Sequence, residues 1–174
     1  MISVVLLLVS AGAALAQSAE DASFLQLSLF DPVQIVHRDD SVRGVRLSVI
    51  YGRNANVSGF DWAWIAAHTT GNQKGVQWSL VNLVEGDFLG WQAGLVNLTD
   101  ETFTGYQLGA FNRTQGASSE GFQWGFVNVA EDISGFQLGL LNYAEKMYGL
   151  QIGLINIIKS KESLPILPIV NWSF

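Results

Sequence analysis

The chain has 174 residues, a length that suits one domain, with 49% hydrophobic and only 14% charged residues and a formal net charge of −6. Soluble domains carry roughly 25% charged residues, so much of this surface is not expected to face water. The absence of cysteine excludes a disulfide framework, a thiolate zinc site, a cysteine nucleophile and a lipoprotein anchor, and an acidic balance without a basic cluster argues against a nucleic-acid partner.

Residues 1–16 read as a secretory signal: an apolar run from Ile2 to Val9, then small residues and an Ala14-Leu15-Ala16 site before Gln17. The run lacks the usual preceding Lys or Arg, and it is shorter than the ~20 apolar residues a spanning helix needs. A single β-repeat domain is expected over residues 17–174. Its first strand is Phe24-Leu-Gln-Leu-Ser-Leu-Phe30, followed by a charged loop that contains His37.

One motif then occurs eight times: Gly, apolar, Gln, apolar, small, apolar, apolar, Asn. The copies begin at Gly44, Gly59, Gly75, Gly90, Gly105, Gly121, Gly135 and Gly149, and the first two are degenerate. Counting the glycine as position 0, positions 1, 3 and 5 are apolar in every copy, which is the period-2 pattern of a strand. That face carries most of the aromatic residues, among them Trp62, Trp64, Trp78, Trp91 and Trp124. The opposite face carries Gln at position 2 and only Gly, Ser or Ala at position 4. Charge collects between copies, at Glu85 and Asp87, Asp100 and Glu101, Glu131 and Asp132, and Glu145 and Lys146. These are turns of about four residues between strands of about 10 or 11. A last strand covers Ile166 to Phe174, for ten strands in all.

Two architectures fit. In an up-and-down barrel neighbouring copies run antiparallel, and in a β-solenoid they run parallel with one 14–16-residue repeat per coil. Three features favour an outer-membrane barrel. The repeat's hydropathy is nearly palindromic about position 3. The aromatic face is too bulky, and the Gln/Gly face too polar and small, to fill a thin coil. About 11 tilted residues also reach close to the ~25 Å apolar band of such barrels. The ending Val170-Asn-Trp-Ser-Phe174 resembles the signal read by the barrel assembly machinery, with Phe174 as its key residue. Short turns, and acids such as Asp87 and Asp100 suited to corners, speak for the solenoid.

The candidate site residues form an interior polar column: Arg46, Asp61, Gln77, Gln92, Gln107, Gln123, Gln137 and Gln151, all at position 2. Arg46 and Asp61 are expected to pair and fix register, and the glutamines to fill the space over facing glycines. His37 and His68 are expected in loops. No catalytic residue, metal ligand or cofactor is expected, and no phosphate loop or nucleophile elbow occurs. The Asn-x-Ser/Thr triplets at Asn97 and Asn112 follow from the repeat itself, so they do not imply glycosylation.

Five segments, Leu27-Ser-Leu-Phe-Asp-Pro-Val-Gln34, Tyr51-Gly-Arg-Asn54, His68-Thr-Thr-Gly71, Val84-Glu-Gly-Asp87 and Pro168-Ile-Val-Asn-Trp-Ser-Phe174, give nearly the whole of residues 17–174 a resemblance to a family of short bacterial secreted surface-repeat proteins. The resemblance implies no biochemical activity. Similar sequences sometimes carry the label polyhydroxyalkanoate synthase, an activity that requires a cysteine nucleophile in an α/β-hydrolase setting; this chain has neither cysteine nor helical periodicity. The expectation is an exported, non-enzymatic protein of the outer membrane or cell surface of a Gram-negative-type bacterium, in contact with outer-membrane lipid, with a structural or surface-interaction role. The alternatives are a small pore and a carbohydrate-binding solenoid.

Overall fold

The glycine that opens each repeat stands directly on the glycine of the repeat before it. Gly44, Gly59, Gly75, Gly90, Gly105, Gly121, Gly135 and Gly149 are paired in this order by parallel strands. All eight have positive φ, between 115° and 153°, a backbone state that L side chains rarely adopt. A Cβ on Gly105 would also run into the carbonyl oxygen of Gly90. Glycine is therefore required twice over, for the bend and for the close stacking.

The computed structural model describes residues 22–174, so the expected signal over residues 1–16 lies outside the described residues. Among them sixteen strands form, β1 (Ser23–Phe30), β2 (Val33–Gln34), β3 (Val42–Ser48), β4 (Tyr51–Asn54), β5 (Val57–Ala63), β6 (Ala66–Thr69), β7 (Gln73–Trp78) and β8 (Val81–Val84) in the first half. The second half contains β9 (Phe88–Ala93), β10 (Val96–Thr99), β11 (Phe103–Leu108), β12 (Phe111–Thr114), β13 (Ser119–Trp124), β14 (Val127–Leu138), β15 (Leu141–Ile158) and β16 (Ile166–Ser173).

The fold is an all-β solenoid of about nine turns. The expected antiparallel barrel is not what forms. Repeat pairs with repeat in parallel, like residue on like residue, as Gln92 on Gln77 and Asn97 on Asn82 show. The ten long strands are also replaced. Most copies hold two short strands, one through the Gly-x-Gln segment and one through the Asn segment, with a corner at positions 4 and 5 between them. The Gly-x-Gln strands stack into one wall (β3, β5, β7, β9, β11, β13 and the later parts of β14 and β15) and the Asn strands into the other. The two degenerate copies have one residue more at the corner, so Gly52 and Ala67 rather than Tyr51 and Ala66 stand in line with Asn82.

Between the walls lie the side chains of positions −2 and 2 from one and of the Asn and the residue two after it from the other. One end of the cross-section is apolar, with clusters Val36–Val42–Val57, Val84–Phe88–Phe103 and Ala130–Ile133–Ala144–Met147–Ile158. The Phe88 and Phe103 rings stack at 5.9 Å. The other end is made of amides. Both ends of the stack are covered: β1 lies on β3 with Gln26 beside Arg46, and β16 runs antiparallel to β15 with Asn171 beside Gln151. Pro165 and Pro168 lie in and beside that last strand, where missing N–H groups blunt an exposed edge.

Gly105→Ala is expected to lower stability by at least about 2 kcal/mol, whereas Ser134→Ala on the outer surface stays within about 0.5 kcal/mol. Urea midpoints compared at equal m values check this.

Candidate functional site

The eight residues of the polar column are all fully buried and stand in one line through the stack. Gln151, Gln137, Gln123, Gln107 and Gln92 each donate Nε2–H to the Oε1 of the glutamine one coil earlier, at 2.7–2.8 Å. Gln77 ends the run by donating to Asp61 Oδ2 at 3.0 Å. A chain of donors needs an acceptor at its head, and a carboxylate is acceptor-only. Asp61 is in turn held by a two-pronged contact from Arg46, Nε to Oδ1 at 2.7 Å and Nη2 to Oδ2 at 2.6 Å. Arg46 spends its remaining donors on the His68 carbonyl at 2.8 Å and Thr69 Oγ1 at 3.1 Å.

A second ladder, which the sequence reading did not single out as a site, runs along the other wall through Asn82, Asn97, Asn112, Asn128, Asn142 and Asn156. The first five each donate Nδ2–H to the Oδ1 one coil later, at 2.7–2.8 Å, and also reach a backbone carbonyl of that next coil at 2.8–3.0 Å, while Asn156 ends the row on the Gly153 and Leu167 carbonyls. The glutamines donate towards the N-terminal end and the asparagines towards the C-terminal end, so the two rows of amide dipoles oppose. The small residue at position 4 is demanded here: a Cβ on Gly109 would crowd Asn97 Nδ2 and the Gly94 carbonyl. This column fills the interior and lines no channel, which removes the open lumen that a pore requires.

The histidines divide. His37 is exposed in the loop after β2. His68 is not in a loop but in β6, facing outwards between Tyr51 Oη at 2.7 Å from Nδ1 and Glu85 Oε1 at 2.8 Å from Nε2. Burial pushes the Tyr51 phenol above its usual range, with nearby Arg53 pulling it down. A ring carrying its hydrogen on Nε2 accepts the Tyr51 hydroxyl at Nδ1 and donates to Glu85. The three side chains lie on an open strand surface and do not converge on a cavity. At the opposite end of the stack Glu145 accepts from Lys159 Nζ at 2.7 Å and from the Tyr143 hydroxyl at 2.9 Å. The Lys159 bond holds the Glu145 carboxyl below its ordinary pKa, and the Glu145 bond raises that of Tyr143.

The remaining candidate is the outer surface. Positions 1 and 3 of the first wall and the corner are apolar from coil to coil, and so are most outward residues of the second wall, where Arg53, His68 and Arg113 interrupt the row. Trp64, Trp78, Tyr106, Trp124 and Phe126 are each more than half exposed. At the corner Trp62, Trp64 and Trp78 border a shallow cleft of about 380 Å³ with Ala63, Ser79 and Gly94 among its other lining residues. Its polar equipment is meagre, because the Ser79 hydroxyl contacts Asn82 Oδ1 at 2.6 Å and the Val81 carbonyl at 2.7 Å. A second concavity of about 510 Å³ near the N-terminal end of the stack is lined by Asp31, Pro32, Gln34, Ile35, His37 and Arg38, where Arg38 meets Asp31 at 3.4 Å.

No family model, no curated protein and no solved structure matches this chain. The reading of the site therefore rests on its own chemistry. The interior is filled by buried amides that mostly bond one another, with Ser48 Oγ, Gln73 Nε2 and Gln151 Oε1 left without a partner, while the outside offers a broad apolar surface.

Asp61→Gln leaves Arg46 buried without its counter-charge and is expected to cost about 3–5 kcal/mol. Adding Arg46→Gln should extend the amide ladder by two rungs and recover at least about 1 kcal/mol of that loss. A double-mutant cycle on urea midpoints measures the coupling.

Proposed function

We propose that this is an exported, non-enzymatic protein of the bacterial cell envelope, a rigid rod that engages another surface through its apolar outer faces. One observation carries the reading: large apolar side chains lie exposed in rows along the stack, with Trp64, Trp78 and Phe126 at 68%, 58% and 66%. Isolated exposed apolar residues are ordinary, but a contiguous sheet of them marks an interaction site. The interior does not compete for these residues, since amides and three small apolar clusters already fill it. The rod suits presentation of a surface, because each coil is pinned to its neighbours by backbone and side-chain bonds. The expected export signal at residues 1–16 and the resemblance to secreted surface-repeat proteins favour the envelope as the setting.

The carbohydrate-binding reading has one observation in its favour, the three tryptophans around the corner cleft, whose faces could stack on sugar rings. Sugar sites also need convergent hydrogen-bonding groups, and the one hydroxyl lining this cleft is committed to Asn82 and Val81. An apolar occupant fits better.

The test is cell fractionation of the producing bacterium. The chain is expected in the envelope pellet with a mass lacking residues 1–16. Changing Leu95, Phe126 and Leu140 together to Lys should shift most of it to the soluble fraction while leaving the far-ultraviolet spectrum unchanged. Recovery of the unaltered chain in the cytosol would refute the proposal.

A further inference from the structure

The coil is amphipathic in a particular way: its apolar surface wraps around one long edge, and its acids are gathered at the other. At the apolar edge stand the corner residues Trp64, Leu80, Leu95, Phe126, Leu140 and Leu154, all exposed. From them the apolar surface continues down both walls, through Trp91 and Trp124 on one and through Val81, Val96 and Val127 on the other, whose next outward row holds Leu83 and Leu98 but also Arg53, His68 and Arg113. At the far edge lie Glu85, Asp87, Asp100 and Glu101 in the bends and Glu131 within β14, likewise exposed. A flat partner, or a second copy packed wall to wall, would cover one wall and leave the edge and the other wall in water. A fluid apolar phase covers all three at once.

The dimensions decide what kind of phase. The exposed apolar rows of the first wall run from the corner back to position 1, about three to four residues, or roughly 10–13 Å at ~3.3 Å per residue. That depth is comparable with the ~5–10 Å to which interfacial proteins enter a bilayer, and far short of the ~30 Å needed to cross it. Along the stack, about nine coils at ~4.8 Å each give an edge of roughly 40 Å. Tryptophan is also the residue that favours the water–lipid boundary.

The geometry points to a monotopic membrane wedge: the rod lies in the plane of one lipid leaflet, corner edge inserted, acidic turns facing water. This rests on the surface-interaction reading above and names its partner as a phospholipid surface. Because the turns are acidic and the net charge is −6, adsorption is driven by apolar burial and not by anionic headgroups. Neutral vesicles should serve at least as well as anionic ones.

The experiment is flotation of the full chain with phosphatidylcholine vesicles, with and without added phosphatidylglycerol, combined with quenching of tryptophan emission by lipids brominated at shallow or deep acyl positions. The chain is expected to float with both vesicle types and to be quenched most by shallow bromines. Leu95→Glu, Phe126→Glu and Leu140→Glu together should weaken partitioning at least tenfold with the urea midpoint unchanged, residues 1–16 being common to both proteins. Strongest quenching by deep bromines would overturn the wedge in favour of a spanning arrangement. A chain that stays unbound but sediments as a dimer disrupted by the same three changes would overturn the lipid partner and leave the surface-interaction reading standing. A chain that neither floats nor self-associates, and is found in the cytosol on fractionation, would overturn both.

Discussion

Side-chain amides stacked at the spacing of parallel strands hold this molecule in register. A glutamine one coil above another lies at hydrogen-bonding distance, and each carries both a donor and an acceptor, so the contact repeats without limit. Five such bonds lead from Gln151 to Gln77 and end on Asp61. Slipping one strand by a single residue would set a glutamine against an apolar neighbour and leave buried amide groups unpaired, each costing about 1–3 kcal/mol. Asp61 and Arg46 matter for the same reason. They give the ladder an acceptor at its head and satisfy the charge that this acceptor brings.

An amide core changes what the rest of the coil can do. In an ordinary domain the large apolar residues are consumed by the interior, because burying them drives folding. Here the interior takes Gln, Asn, Thr and a limited apolar set around Phe88, Ile133 and Val57. The tryptophans and most other aromatic residues remain outside. Their burial is deferred to whatever the protein meets, and the segregation of acids to the opposite edge gives that meeting a direction. Folding and recognition thus use different parts of each repeat.

Much of this was legible beforehand. Strict alternation at positions 1, 3 and 5 identified strands and sorted every residue of the Gly-x-Gln segment to its face. Charge between the copies located the bends at Glu85–Asp87 and Asp100–Glu101, but the turns expected at Glu131–Asp132 and Glu145–Lys146 do not form, because β14 and β15 run through them without a break. The column through Arg46, Asp61 and the glutamines is read directly from position 2, and the outer strands at Phe24–Phe30 and Ile166–Phe174 closely match β1 and β16. The misreading came from one premise, that a face of Gln and Gly could not be a core and that an aromatic face must be covered by lipid all round. That premise treats polarity as a property of residues. In a parallel stack, polarity is cancelled between neighbours, and the small residues at position 4 are small because Asn97 and its equivalents occupy the space above them.

The Asn ladder, the second strand of each copy and the Tyr51–His68–Glu85 chain all depend on which repeats are neighbours and in which direction they run. A near-palindromic repeat is compatible with both directions in its hydropathy, so period and pattern alone established strands, faces, turns and an amphipathic unit about fifteen residues long. Only the tertiary structure chose parallel over antiparallel. The deciding interaction is between identical side chains of different coils: Gln meets Gln and Asn meets Asn at 2.7–2.8 Å when the copies run the same way, and Gln would meet Gly if they did not. That energy belongs to pairs of residues about fifteen positions apart, and no local window of sequence contains it.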